Sequence, residues 1–230
     1  MFHCLPAEAQ AAEIAAAGFS DVELACESVV DPATGQLSRD HAERLRDAYA
    51  RAGVRMRQVH YPLQTLNPAV RAIADLPASE RAANLTHPDE RRREWELHCA
   101  EELLGLCPLL GIEAMVVHPG GGGWRDEAEL AQIEARNLAA LRRLAPTAEQ
   151  HGVTIAVENM ARAGDRLSYG ADFGQLIALV DAVGSANGGI CLDTSHANIV
   201  GIDIPAAIRA MGHRLVATHI SDNLGTHDNH

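Results

Sequence analysis

Short apolar runs alternate with helix-forming stretches along the whole chain, and five successive runs close on a histidine or a carboxylate. Residues 54–60 (VRMRQVH) end on His60, 114–118 (AMVVH) on His118, and 153–158 (VTIAVE) on Glu158. Residues 189–193 (GICLD) end on Asp193, and Leu215–His219 (LVATH) on His219. Strands separated by helices predict a parallel sheet, because each parallel pair needs a crossover. Nearly continuous apolar strands are those covered on both faces. In a closed alternating β/α barrel the C-terminal strand ends converge on one face, so these distant residues would line one pocket.

The spacing predicts seven strands. Residues 1–5 form the first, Asp21–Ala25 the second, and the five runs above the rest. Helices are expected over residues 7–17, 38–52, 88–110, 127–150, Phe173–Val183 and Ile204–Met211, with 66–85 irregular or partly helical. Gly18, Gly53 and Gly152 follow three of these helices, where a left-handed residue closes the last turn. Pro108 is expected to kink or shorten the helix it lies in. No eighth strand or closing helix follows His219. The expectation is therefore one domain, residues 1–230, of a (β/α)8 barrel truncated before its eighth strand, its C-terminal strand and helix missing.

A formal charge of −12 disfavours polyphosphate partners. The densest basic run, residues 90–93 (ERRR), opens a helix that also carries Glu94, Glu96, Glu101 and Glu102, which reads as a solvated face. The five cysteines form no CxxC pair, which argues against a thiolate zinc site. Nothing approaches the roughly 18 apolar residues of a membrane span. The opening MFHCLPAEAQ lacks the features of a secretion signal. A cytoplasmic protein without nucleic-acid or membrane partners is expected, and an exposed sheet edge would favour a homo-oligomer.

Asp193 and His196 form an Asp-x-x-His pair, and Asp228-x-His230 extends the cluster. Imidazole and carboxylate ligands without thiolate suit Zn²⁺, Mn²⁺, Co²⁺, Fe²⁺ or Mg²⁺. Glu158, Asp193 and His219 are the strongest ligand candidates, since each ends an otherwise apolar strand. His60 and His118 would ligate a metal or bind substrate hydroxyls or phosphate, and His196 would ligate or orient substrate. The loop HPGGGGW offers either a flexible mouth or a backbone cradle for an anion. Trp124 would cover a sugar ring or pack beneath that loop.

The segments AAAGFSDVEL, LLGIEAMVVHPGG, GVTIAVENM, GICLDTSHANIVGID and HISDNLGTHDNH resemble the xylose isomerase-like TIM-barrel superfamily. Within it they most resemble the sugar phosphate isomerase/epimerase proteins, which are related to endonuclease IV. The sugar branch implies a divalent metal ion (Mn, Zn, Co or Mg) on Glu158, Asp193 and His219, with a further glutamate on the eighth strand. It makes His196 a substrate-binding residue. The endonuclease IV branch implies a multi-zinc site that also uses His60, His118, His196, Asp228 and His230. The acidic charge favours the sugar branch: a metal-dependent sugar or sugar phosphate isomerase/epimerase acting by proton transfer through an enediolate. Glu158 would be both ligand and acid/base. The alternatives are an endonuclease IV-like phosphodiesterase and a non-catalytic degenerate barrel.

Overall fold

The computed structural model describes residues 5–73, 75–163 and 165–227. Six parallel strands form one sheet: β1 Asp21–Ala25, β2 Arg55–His60, β3 Ala114–Val117, β4 Thr154–Glu158, β5 Gly188–Asp193 and β6 Leu215–His219. They lie in chain order, with β1 and β6 at the edges. The sheet curls enough for side chains of β1 and β6 to meet. The residues expected to form a strand before β1 lie, up to position 4, outside the described residues.

The helices that cover the sheet are α1 Ala7–Ala16, α2 Arg39–Ala52, α3 Glu90–Leu110, α4 Glu127–His151, α5 Phe173–Val183, α6 Thr194–Ile199 and α7 Ile204–Met211. Their starts follow from short polar caps. Ser38 Oγ accepts from His41 N–H, and the carboxylates of Asp89, Asp126 and Asp203 accept from Arg92, Glu129 and Ala206 N–H. Gly53 and Gly152 close α2 and α4 in the left-handed conformation, as expected. Two one-turn helices, Pro68–Arg71 and Ala78–Arg81, occupy the long connection after β2.

Pro108 does not shorten its helix: α3 runs through it to Leu110. The proline sits in the last turn, so few bonds depend on its missing N–H. The N–H groups of Gly111 and Ile112 fold back onto the carbonyls of Pro108 and Cys107. Two hairpins, Val30–Asp31 with Gln36–Leu37 and Arg162–Ala163 with Arg166–Leu167, escaped sequence reading because two-residue strands carry no periodicity. Among the described residues, no helix is long and apolar enough to cross a membrane.

The main core lies between sheet and helices, with Met115, Val117, Ile155, Val157, Ile190 and Leu192 facing α3, α4 and α5 side chains such as Leu103, Leu144 and Leu176. The expected solvated face of α3 needs one correction. Glu96 is buried, 4% exposed, with the Tyr61 hydroxyl 2.8 Å from its Oε2. Burial raises the Glu96 carboxyl above its ordinary range, against the lowering effect of hydrogen bonds from Thr65 and Tyr61. The folded chain therefore holds this proton more tightly than the unfolded chain. Stability falls as pH rises from about 4 through the raised folded value, and the penalty stays in full above it. Glu96→Gln is expected to flatten that slope in urea titrations and to be more stable than the parent at neutral pH.

Candidate metal centre

The inner face of the sheet carries a second, smaller apolar cluster of Val116, Ala156, Cys191 and Ala217. Strand side chains repeat every second residue, so the next inward positions are His118, Glu158, Asp193 and His219. The apolar cluster is thus the floor, and the ionisable residues stand one step above it. Strand pairing sets Asp193 beside His219, with Glu158 beside Cys191 on the neighbouring strand.

Glu158 is the hub and is 1% exposed. Its Oε1 lies 2.9 Å from His219 Nδ1 and 3.5 Å from His196 Nδ1. Its Oε2 lies 3.0 Å from His118 Nε2 and 3.2 Å from His60 Nε2. Burial by itself would raise this carboxyl, but hydrogen bonds from His118, His219 and His60 outweigh it and hold the group ionised, far below the usual range. The same contacts act in reverse on the rings. Burial would lower His60, yet Glu158 leaves it raised. Burial would also lower His219, yet contacts with Cys191, Glu158 and Glu23 raise it strongly.

Asp193, 2% exposed, has two duties. Its Oδ1 accepts from His196 N–H at 2.7 Å and so caps α6, while Oδ2 lies 3.7 Å from His219 Nδ1. Asn159, fully buried, clamps this strand end: its Oδ1 accepts from Asp193 N–H and its Nδ2 donates to the Asp193 carbonyl. The Asn159 carbonyl in turn lies 2.8 Å from His196 Nδ1.

The sequence-predicted metal-ligand and substrate-binding histidines and carboxylates that fall within the described part of the chain meet here. Glu158, Asp193, His219, His60, His118 and His196 line one cavity of about 360 Å³. His118 lies one residue beyond β3 rather than inside it. Asp228 and His230 lie outside the described residues. Sequence reasoning missed Glu23, which lines the same cavity, and Asn159. Among the described residues, two donor groups are close enough to share an ion: His60, Glu158 and His219, and Glu158, Asp193 and His196, each with ligand atoms within 4.8 Å of one another. Nearly buried carboxylates with imidazole partners and no thiolate donor form a set that fits a divalent cation.

The first glycine of the HPGGGGW loop does not offer its N–H to an anion. Gly120 N–H donates to Asn137 Oδ1 at 3.0 Å, and Asn137 Nδ2 returns a bond to the Gly120 carbonyl at 2.8 Å. Asn137 is 3% exposed, so the loop is tied to α4. A Cβ on Gly120 would overlap the Thr86 hydroxyl and lie 2.8 Å from Thr86 Cβ. Gly120→Ala is expected to cost about 1–3 kcal/mol, read as a lower urea midpoint at unchanged slope. Trp124 packs partly against the main core instead of lining the cavity.

The model of the xylose isomerase-like TIM barrel matches residues 11–230. Protein MJ1311 of Methanocaldococcus jannaschii is 27% identical over 220 residues, which are 95% of this chain and 67% of that protein. Among solved structures, a D-tagatose 3-epimerase-like protein aligns at a TM-score of 0.71 and 24% identity, over 93% of this chain and 71% of its own. The 3-keto-D-glucoside 4-epimerase YcjR from E. coli aligns at 0.74 and 17%, over 96% and 76%. D-psicose 3-epimerase aligns at 0.71 and 20%, over 94% and 68%. At these identities the structural likeness establishes the shared fold.

Proposed function

Because the chain belongs to the xylose isomerase-like TIM-barrel family, we propose that it is a metal-dependent isomerase or epimerase of a small sugar or sugar phosphate. The observation that carries this reading is the convergence of Glu158, Asp193 and His219, just above the apolar floor, on one cavity about the size of a small polyol site. The sugar epimerases among its structural neighbours support a ketose substrate.

Glu158, Asp193 and His219 would hold the cation, with His196 beside them. A divalent cation bound there supplies Lewis acidity toward a substrate carbonyl and hydroxyl. Glu158 takes a proton from the carbon beside the carbonyl to give an enediolate; returning it to the neighbouring carbon gives the isomer, whereas an epimer needs a second acid that delivers the proton from the opposite face. His60 and His118, both directed at Glu158 Oε2, keep that carboxylate oriented, and His118 offers its other ring nitrogen to a substrate hydroxyl or a phosphate. Leu63 and Ile220, exposed residues that also line the cavity, offer apolar surface for a bound substrate to cover.

A second reading has one observation in its favour. Glu158 belongs to both donor groups, an arrangement that also suits a multi-cation phosphodiesterase. The two readings separate on incubation of protein and Mn²⁺, Co²⁺, Zn²⁺ or Mg²⁺ with a ketose panel in D₂O, and with an abasic-site duplex. Deuterium entering a sugar C–H position, with a new epimer or isomer, is the expected result. Strand cleavage without deuterium exchange would reject the sugar reading.

A further inference from the structure

Glu23 sits in the middle of β1, yet its carboxylate reaches the opposite edge of the sheet. Its Oε2 lies 3.0 Å from His219 Nε2 and also accepts from the Gln58 side-chain amide on β2. The other ring nitrogen, Nδ1, lies 2.9 Å from Glu158 Oε1 and 3.7 Å from Asp193 Oδ2. One edge of the imidazole thus faces the two buried carboxylates, and the other faces Glu23.

A ligating imidazole offers a lone pair from one nitrogen and donates the N–H of the other, and the acceptor of that N–H fixes its tautomer and direction. His60 has a backbone carbonyl in that place, from Tyr61. His219 has a carboxylate. We infer that Glu23 is the positioning residue of His219: it holds Nε2–H and aims Nδ1 at the cation place shared with Glu158 and Asp193. Gln58 keeps the accepting oxygen in register, because it donates to the same Oε2 from the paired position on β2.

This inference rests on the metal-dependent reading above, and its test separates the two. Co²⁺ affinity is measured by chelator competition for the parent protein, Glu23→Ala, Glu23→Gln and His219→Ala, alongside melting of each metal-free protein. Glu23→Ala is expected to weaken Co²⁺ binding about 10–100-fold, and Glu23→Gln, which keeps an acceptor oxygen, to recover part of the loss. Long-range ¹H–¹⁵N spectra of the Zn²⁺-loaded parent should show His219 protonated at Nε2 and coordinated through Nδ1. Unchanged Co²⁺ affinity in both Glu23 variants, with affinity lost in His219→Ala, would overturn the role of Glu23. Coordination through Nε2 would overturn it equally, without any variant having to fold. A parent protein that binds no Co²⁺ would remove the metal-dependent reading first, and this inference with it.

Discussion

Glu158→Gln is expected to damage the protein in two measurable ways at once. The carboxylate is nearly inaccessible to water and faces His60, His118, His196 and His219. An uncharged amide in its place removes the counter-charge that raises the proton affinity of His60 and His219 in this buried site. Removing one partner of such a buried set costs about 3–5 kcal/mol. Urea unfolding of the metal-free variant reads this directly. The variant also loses the proposed acid/base, worth about 10²–10⁴-fold in turnover. Deuterium exchange into the responding ketose measures that loss. A variant as stable as its parent, with exchange intact, would show that Glu158 is neither hub nor base.

The second large effect is stabilisation by cation. Ligand atoms on α6 and on the ends of β4, β5 and β6 come from distant parts of the chain, so an ion held among them binds the folded state and not the unfolded one. At 1,000 times the Kd this linkage adds about 4 kcal/mol. For a chain of this length that is roughly 8–16 °C in melting temperature. Melts of the same preparation with EDTA and with excess Mn²⁺, Co²⁺ or Zn²⁺ measure the shift. Asp193→Asn and Glu158→Gln should each abolish most of it, while Glu96→Gln, remote from the ligand set, should keep it. A shift that survives in both ligand variants would place the ion elsewhere.

Much of the site could be read from sequence because strand geometry is regular. A residue that ends an apolar strand, two positions past Ala156, Cys191 or Ala217, lies on the same face as that small residue, so Glu158, Asp193 and His219 declared themselves. Glu23 did not. It lies between Val22 and Leu24 in mid-strand, where a carboxylate normally marks a solvated face, and only the curl of the sheet carries it to His219 across 196 positions. The sign available was a charged residue at an inward position of DVELA, with a register shift beside it that no sequence displays.

Asn159 was hidden for a different reason. An amide just past a strand reads as a loop residue, whereas here it bonds both backbone groups of Asp193. Pro108 was expected to kink or shorten a helix over 88–110, and that helix still reaches Leu110 because the proline falls in its last turn. Glu96 looked solvated among charged neighbours. Helical spacing alone does not reveal that the Tyr61 hydroxyl meets it in the core.

Anomalous diffraction from crystals grown with Co²⁺ or Zn²⁺ tests the shared ion most directly. The expected density peak lies within bonding distance of Glu158, Asp193 and His219, with His219 coordinated through Nδ1. A peak bound by other residues, or none at these three side chains under conditions that saturate the protein in solution, would contradict it.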